Sequence, residues 1–211
     1  MIPSFNRDGT IKDLAQPDPA SVCFIEISGT LSRIARFNGI PGGLAYSVAQ
    51  HSVMGAQALI NEGADKQTAA LFLLHDAHEW ALGDITRPME QLLCGMLPTL
   101  AVKEAINLAK ARWDDVIYLA AGLPLPAEWS PKQRKLVKAM DDRMCAAEAV
   151  ALFGKRAERQ FPKLTIPKTT GAIKPWLPGV AEEKFVVMLS DMITPERIAH
   201  RSAIAAQARL A

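Results

Sequence analysis

The chain has 211 residues, 49% of them apolar, and a formal net charge of +2. That length and apolar content suit one globular domain over residues 1–211 with a sizeable core, and without a long run of either charge sign there is no reason to invoke nucleic acid or an acidic membrane surface. Cys23, Cys94 and Cys145 are odd in number, far apart and outside any CxxC spacing, so neither a disulfide framework nor a cysteine zinc site is supported and a reducing cytoplasm is expected.

In chain order, residues 1–22 contain Pro3, Pro17 and Pro19, lack the apolar core of a signal peptide, and read as an irregular arm laid over the domain. "SVCFIEI" is the one period-two strand candidate. A helix is predicted from an N-cap at Ser47 to Gly63, and the next from Asp65 to Gly83. After Pro88 a short helical piece leads to a longer helix over 99–121, ended by Gly122 and Pro124. Ser130-Pro131 opens another, which runs to Phe153 before Gly154. Residues 155–211 comprise a connection with Pro162, Pro167, Pro175 and Pro178 and two final helices over 182–190 and 195–210, with "KFVVML" ambiguous between strand and helix. No stretch approaches the ~20 apolar residues of a membrane span, and the expected class is all-α.

The stretch "LLHDAHEWALGDITRP", residues 73–88, sets two histidines and three carboxylates in an otherwise apolar helix. At 100° per residue with His75 at zero, Asp76 falls at about 100°, Glu79 at about 40° and His78 at about −60°. Leu73, Ala77 and Trp80 take the other side, and a helix apolar all round is buried. Burying unpaired carboxylates costs several kcal/mol, roughly, and no Lys or Arg lies between Lys66 and Arg87, so a cation is required. A metal ion with imidazole and carboxylate ligands supplies it.

Three of the four histidines, His51, His75 and His78, fall within this region and the helix before it. Alone, His51 reads as a hydrogen-bonded core residue, but its neighbours Gly55 and Ala58 are small enough to let another helix approach and share a ligand. An inward Asp further on would complete the set. In "KLVKAMDDRMCAAEA", with Val137 at zero, Asp141 falls at about 40° on the apolar stripe with Met144, whereas Asp142 falls at about 140°, beside Lys138 and Lys135. The zincin HExxH fails because Leu82 stands where its second His is needed, and the His-His pair and GYP of cyclic-dinucleotide esterases are absent.

The pattern His51, His75-Asp76, Asp141 resembles the HD-domain metal-dependent phosphohydrolase superfamily. The longer "HDxxExxxGD", His75 through Asp84, and the upstream "LSRIARFNG…YSVAQHS" resemble the bacterial 5'-deoxynucleotidases and their phage-associated relatives, over roughly residues 30–150. The resemblance implies an all-α HD-domain helical bundle with the metal site between helices. It implies one divalent transition metal ion (Mn, Co, Fe, Ni or Zn) on His51, His75, Asp76 and Asp141, a donor set suited to those ions. Glu79 and Asp84 match the family's catalytic carboxylates. Arg36 and Phe37 match an Arg-aromatic pair at the phosphate and sugar, with Phe in place of the usual Trp; Arg33 is a second candidate clamp and Arg87 a weaker one. The implied reaction is hydrolysis of a nucleotide phosphoester, foremost 5'-deoxynucleoside monophosphate to nucleoside and phosphate. The alternatives are a deoxynucleoside triphosphate triphosphohydrolase and a non-catalytic, metal-stabilised nucleotide-binding protein. The expected partner is a small nucleotide, without nucleic acid or membrane, and a homodimer is compatible.

Overall fold

Among the described residues of this computed structural model (1–98, 101–194 and 198), eight α-helices follow a short N-terminal hairpin, so the fold is all-α. The arm expected to be irregular is ordered. β1 (Pro3–Phe5) pairs antiparallel with β2 (Ile11–Asp13), Phe5 opposite Ile11, and Gly9 turns the chain with φ +86. The arm does lie over the core: Lys12 Nζ is 4.1 Å from the centre of the Trp80 ring, and Trp113 Nε1 donates to the Leu14 carbonyl.

"SVCFIEI" is not a strand. Cys23 is an extended N-cap and α1 (Phe24–Leu31) follows. Its buried positions, besides Gly29, are Phe24, Ile27, Ser28 and Leu31, a helical i, i+3, i+4, i+7 face that only emerges when the window extends past Ile27. α2 (Val48–Asn61) starts at Ser47, whose hydroxyl accepts from Gln50 N. α2 packs against α3, α7 and α8 and is the centre of the bundle. A Cβ at Gly55 would sit 2.2 Å from the Phe72 ring, so the glycine is what allows the next helix to come this close.

The single helix predicted from Asp65 to Gly83 is broken. α3 (Lys66–Leu73) and α4 (Glu79–Leu82) are separated by consecutive turns. The Phe72 carbonyl, which an α-helix would offer to Asp76 N, accepts instead from His75 N and from His75 Nδ1 at 2.6 Å, and Ala77, Glu79 and Trp80 bond three residues back. This tightening displaces His75 and Asp76 from the uniform wheel.

α5 (Arg87–Met96) and α6 (Val102–Ala121) follow, the latter ending at left-handed Gly122. α7 (Pro131–Phe153) has the expected bounds and a Ser130/Gln133 capping box. "KFVVML" is helical within α8 (Pro178–Met192), which begins earlier than predicted because Pro178 serves as its first turn. The start of the helix predicted at 99 and the final helix predicted over 195–210 fall largely outside the described residues. The proline-rich connection is laced to α2: Gln50 donates to the Lys174 carbonyl and accepts from Trp176 N. The core joins Ile27, Leu31, Tyr46, Phe72, Trp113 and Phe185. Among the described residues no helix is long and apolar enough to cross a membrane.

Candidate metal centre

Three elements bring the predicted ligands together: α2 carries His51, the turns after α3 carry His75 and Asp76, and α7 carries Asp141. His75 Nε2 lies 3.2 Å from Asp76 Oδ2 and 3.9 Å from Asp141 Oδ1; His51 Nε2 lies 4.0 Å and 3.6 Å from the same two atoms. An ion about 2.1 Å from each donor spaces its ligands by roughly 3.0 Å at right angles, 3.4 Å at tetrahedral angles and 4.2 Å when opposed. The four His–Asp spacings fall inside that range.

Both imidazoles are fixed for the task. His51 Nδ1 donates to Glu148 Oε1 at 2.6 Å and His75 Nδ1 to the Phe72 carbonyl, which leaves an Nε2 lone pair on each ring facing the carboxylates. Both Nε2 atoms are buried with no hydrogen-bond partner. A lone pair aimed at a carboxylate is repulsive unless a positive charge lies between them. The side chains alone already show this demand: burial resists protonation of His75, yet Asp76 and Asp141 hold its pKa well above the usual imidazole range. Burial likewise opposes, and His75 overcomes, in keeping Asp76 and Asp141 ionised well below theirs. Buried His and Asp groups here can therefore hold a metal ion.

Asp141 and Asp142 divide as helical phase predicts. Asp142 Oδ1 is 2.6 Å from Lys138 Nζ, one turn away, while Asp141 turns Oδ1 to the histidines and Oδ2 to Arg87 Nη2 at 2.6 Å. Arg87, at the start of α5, thus touches the centre through Asp141.

Glu79 is buried beside Asp76, with Oε2 unpartnered. Burial first, then Asp76 and Asp84, push its carboxyl up to about 9. Half-buried Asp84 is raised by burial, with Arg36 opposing. Arg36 joins the cluster, with Nε 2.9 Å from Glu148 Oε2 and Nη1 3.7 Å from Asp76 Oδ2. Phe37 packs edge-on against Phe153 at 5.5 Å and takes φ +54, the left-handed region that non-glycine residues rarely adopt. Arg33 does not join them. It follows α1, donates to the Gly29 carbonyl and pairs with Glu182 of α8 at 3.2 Å, so its expected role as a second clamp is not what the geometry offers.

Two residues escaped the sequence reading. Fully buried Glu148 bridges His51 and Arg36; it falls at about 20° on the wheel that places Asp141 at about 40°, so it was visible as a carboxylate on the apolar stripe. Asp114 on α6 accepts from His78 Nδ1 at 2.9 Å. It shares a face with buried Ile117 and Tyr118, three and four residues on.

These features define an all-α protein with a buried His/Asp cluster able to hold a metal ion. No protein-family model matches the chain. An uncharacterized protein of Rhodobacter capsulatus is 33% identical over 159 residues, which covers 72% of this chain and 74% of that one. The chain belongs to the same family as that bacterial protein.

Proposed function

We propose that the protein is a metal-dependent phosphohydrolase of the HD-domain type, acting on nucleotide phosphoesters and foremost on 5'-deoxynucleoside monophosphates. One observation carries the metal-centre part of this reading: two buried imidazoles, each locked through Nδ1, direct unpartnered Nε2 atoms at Asp76 and Asp141. A divalent ion held by His51, His75, Asp76 and Asp141 would supply a Lewis acid for the phosphoryl oxygen and an acidified water. Glu79, beside Asp76, and half-buried Asp84 would be the groups that take the proton of water and return one to the leaving alkoxide. Arg36, anchored by Glu148, offers its remaining N–H donors to phosphate.

A monophosphate is favoured over a triphosphate because the nearby guanidinium charges are already matched. Arg36 faces Glu148 and Asp76, Arg87 faces Asp141 and Asp142, and Arg33 pairs with Glu182. Among the described residues, little guanidinium charge is left over for a triphosphate chain.

The deciding experiment assays the purified protein on a panel of nucleotides with several divalent metals. Chelation followed by dialysis is expected to abolish phosphate release, and Mn or Co to restore it. Chromatography should show nucleoside and orthophosphate. Full activity without metal would overturn the metal-dependent mechanism; inorganic triphosphate as product would move the substrate to the triphosphates.

A further inference from the structure

His78 plays no part in the proposed centre, yet it is built like His51. Its Nδ1 donates to a carboxylate from a neighbouring helix, Asp114 at 2.9 Å, just as His51 donates to Glu148. Its Nε2 is buried with no partner, as is Glu79 Oε2 next to it. Both residues are more than nine-tenths buried, at 4% and 7% exposure. One donor atom each from Asp76, His78 and Glu79 lies within 4.8 Å of the other two.

We infer that Asp76, His78 and Glu79 form a second, weaker divalent-cation site adjoining the His51 centre, with Asp76 shared between the two and Asp114 positioning His78. This second site rests on the proposed first centre, because Asp76 is common to both. A buried imidazole with one nitrogen fixed by a carboxylate and the other bare is the arrangement that presents a lone pair to a metal. Nitrogen and carboxylate donors again select transition ions over Ca or Mg. The site has three protein donors rather than four. One donor fewer makes it the weaker site. Occupation engages Glu79, and the proton work assigned to that carboxylate then falls to Asp84.

Equilibrium dialysis against Mn²⁺ with elemental analysis tests this directly. The wild-type chain is expected to bind two ions in separable steps. His78→Ala should bind one, and so should His78→Gln, which retains an N–H donor for Asp114 and so preserves the fold. Asp114→Asn should weaken the second step alone by roughly 10–100-fold. His51→Ala should remove the tight step. A wild-type stoichiometry of one, lost on His51→Ala, would overturn the second site and leave the first standing. Two ions retained in a folded His78→Gln, shown by an unchanged circular dichroism spectrum, would also overturn it. Failure to bind any ion would remove both centres.

Discussion

Each histidine of the cluster owes its direction to one hydrogen bond at Nδ1, and that makes the anchoring groups as consequential as the ligands. Glu148 is fully buried and bridges His51 Nδ1 and Arg36 Nε. Burial opposes its ionisation, but Arg36 and then His51 hold its carboxyl below the usual range. Removing one partner of a buried charge pair leaves the other stranded. Glu148→Gln is therefore expected to cost about 3–5 kcal/mol in urea denaturation and to weaken metal binding by roughly 10–100-fold; an unchanged denaturation midpoint would rule out the bridge. Asp141→Ala should lose the ion while Asp142→Ala keeps it, read by metal content, and the reverse pattern would overturn the geometry at the end of α7. Helical phase was enough to separate those two aspartates in the sequence, because α7 is a regular helix from Pro131 to Phe153. The same phase puts Glu148 inward, yet it went unread because a carboxylate on an apolar stripe has no visible partner in sequence: Arg36 lies 112 residues away. Asp114 was hidden for the same reason, its histidine lying 36 residues before it.

At the scale of elements, helix bounds follow local chemistry and could be read where a cap or a glycine sets them, as at Ser47, Asp65, Gly122 and Ser130. The break after Leu73 could not. It comes from a side chain, His75, taking a backbone carbonyl, and the sequence there shows no Gly or Pro to announce it. How closely α2 and α3 approach depends on Gly55, against which the Phe72 ring lies. Phe72 in turn stacks on His75 with ring centres 4.4 Å apart and leans on His51 at 5.6 Å. Gly55→Ala would gain about 1 kcal/mol of helix propensity, yet its Cβ cannot fit without moving that ring. The net result is expected to be destabilisation of about 1–3 kcal/mol, the usual cost of overpacking, together with weaker metal binding as His75 shifts. Thermal denaturation and a metal titration check both; a more stable variant with unchanged affinity would show that the two helices part without consequence for the cluster.

Across the whole molecule, the proline-rich connection is held to the bundle by a clasp at the far end of α2. Arg143 of α7 donates two bonds to Glu62, at 2.8 and 2.6 Å, and a third to the Thr165 carbonyl, while Lys168 N donates to Glu62 Oε1. One carboxylate thus joins α2, α7 and the connection that Gln50 fastens further along. The hydrogen bonds from Arg143 first, with burial opposing and Lys168 N adding to them, hold the Glu62 carboxyl below its ordinary value of 4.5. Because the folded chain binds this proton less readily than the unfolded one, the clasp contributes its full stability above about pH 4.5 and loses it as pH falls through the depressed value. Urea midpoints followed from about pH 6 down to about pH 3 should therefore fall less steeply in Glu62→Gln than in the wild type, since the variant has no proton to take up at this position. At neutral pH the same variant should exchange the backbone amide of Lys168 faster, because the charged acceptor of that N–H has gone. Parallel acid slopes in the two proteins, with equal exchange at Lys168, would mean that Glu62 does not hold the connection and that Gln50, Asn61 and the Arg143 bonds to its carbonyls suffice.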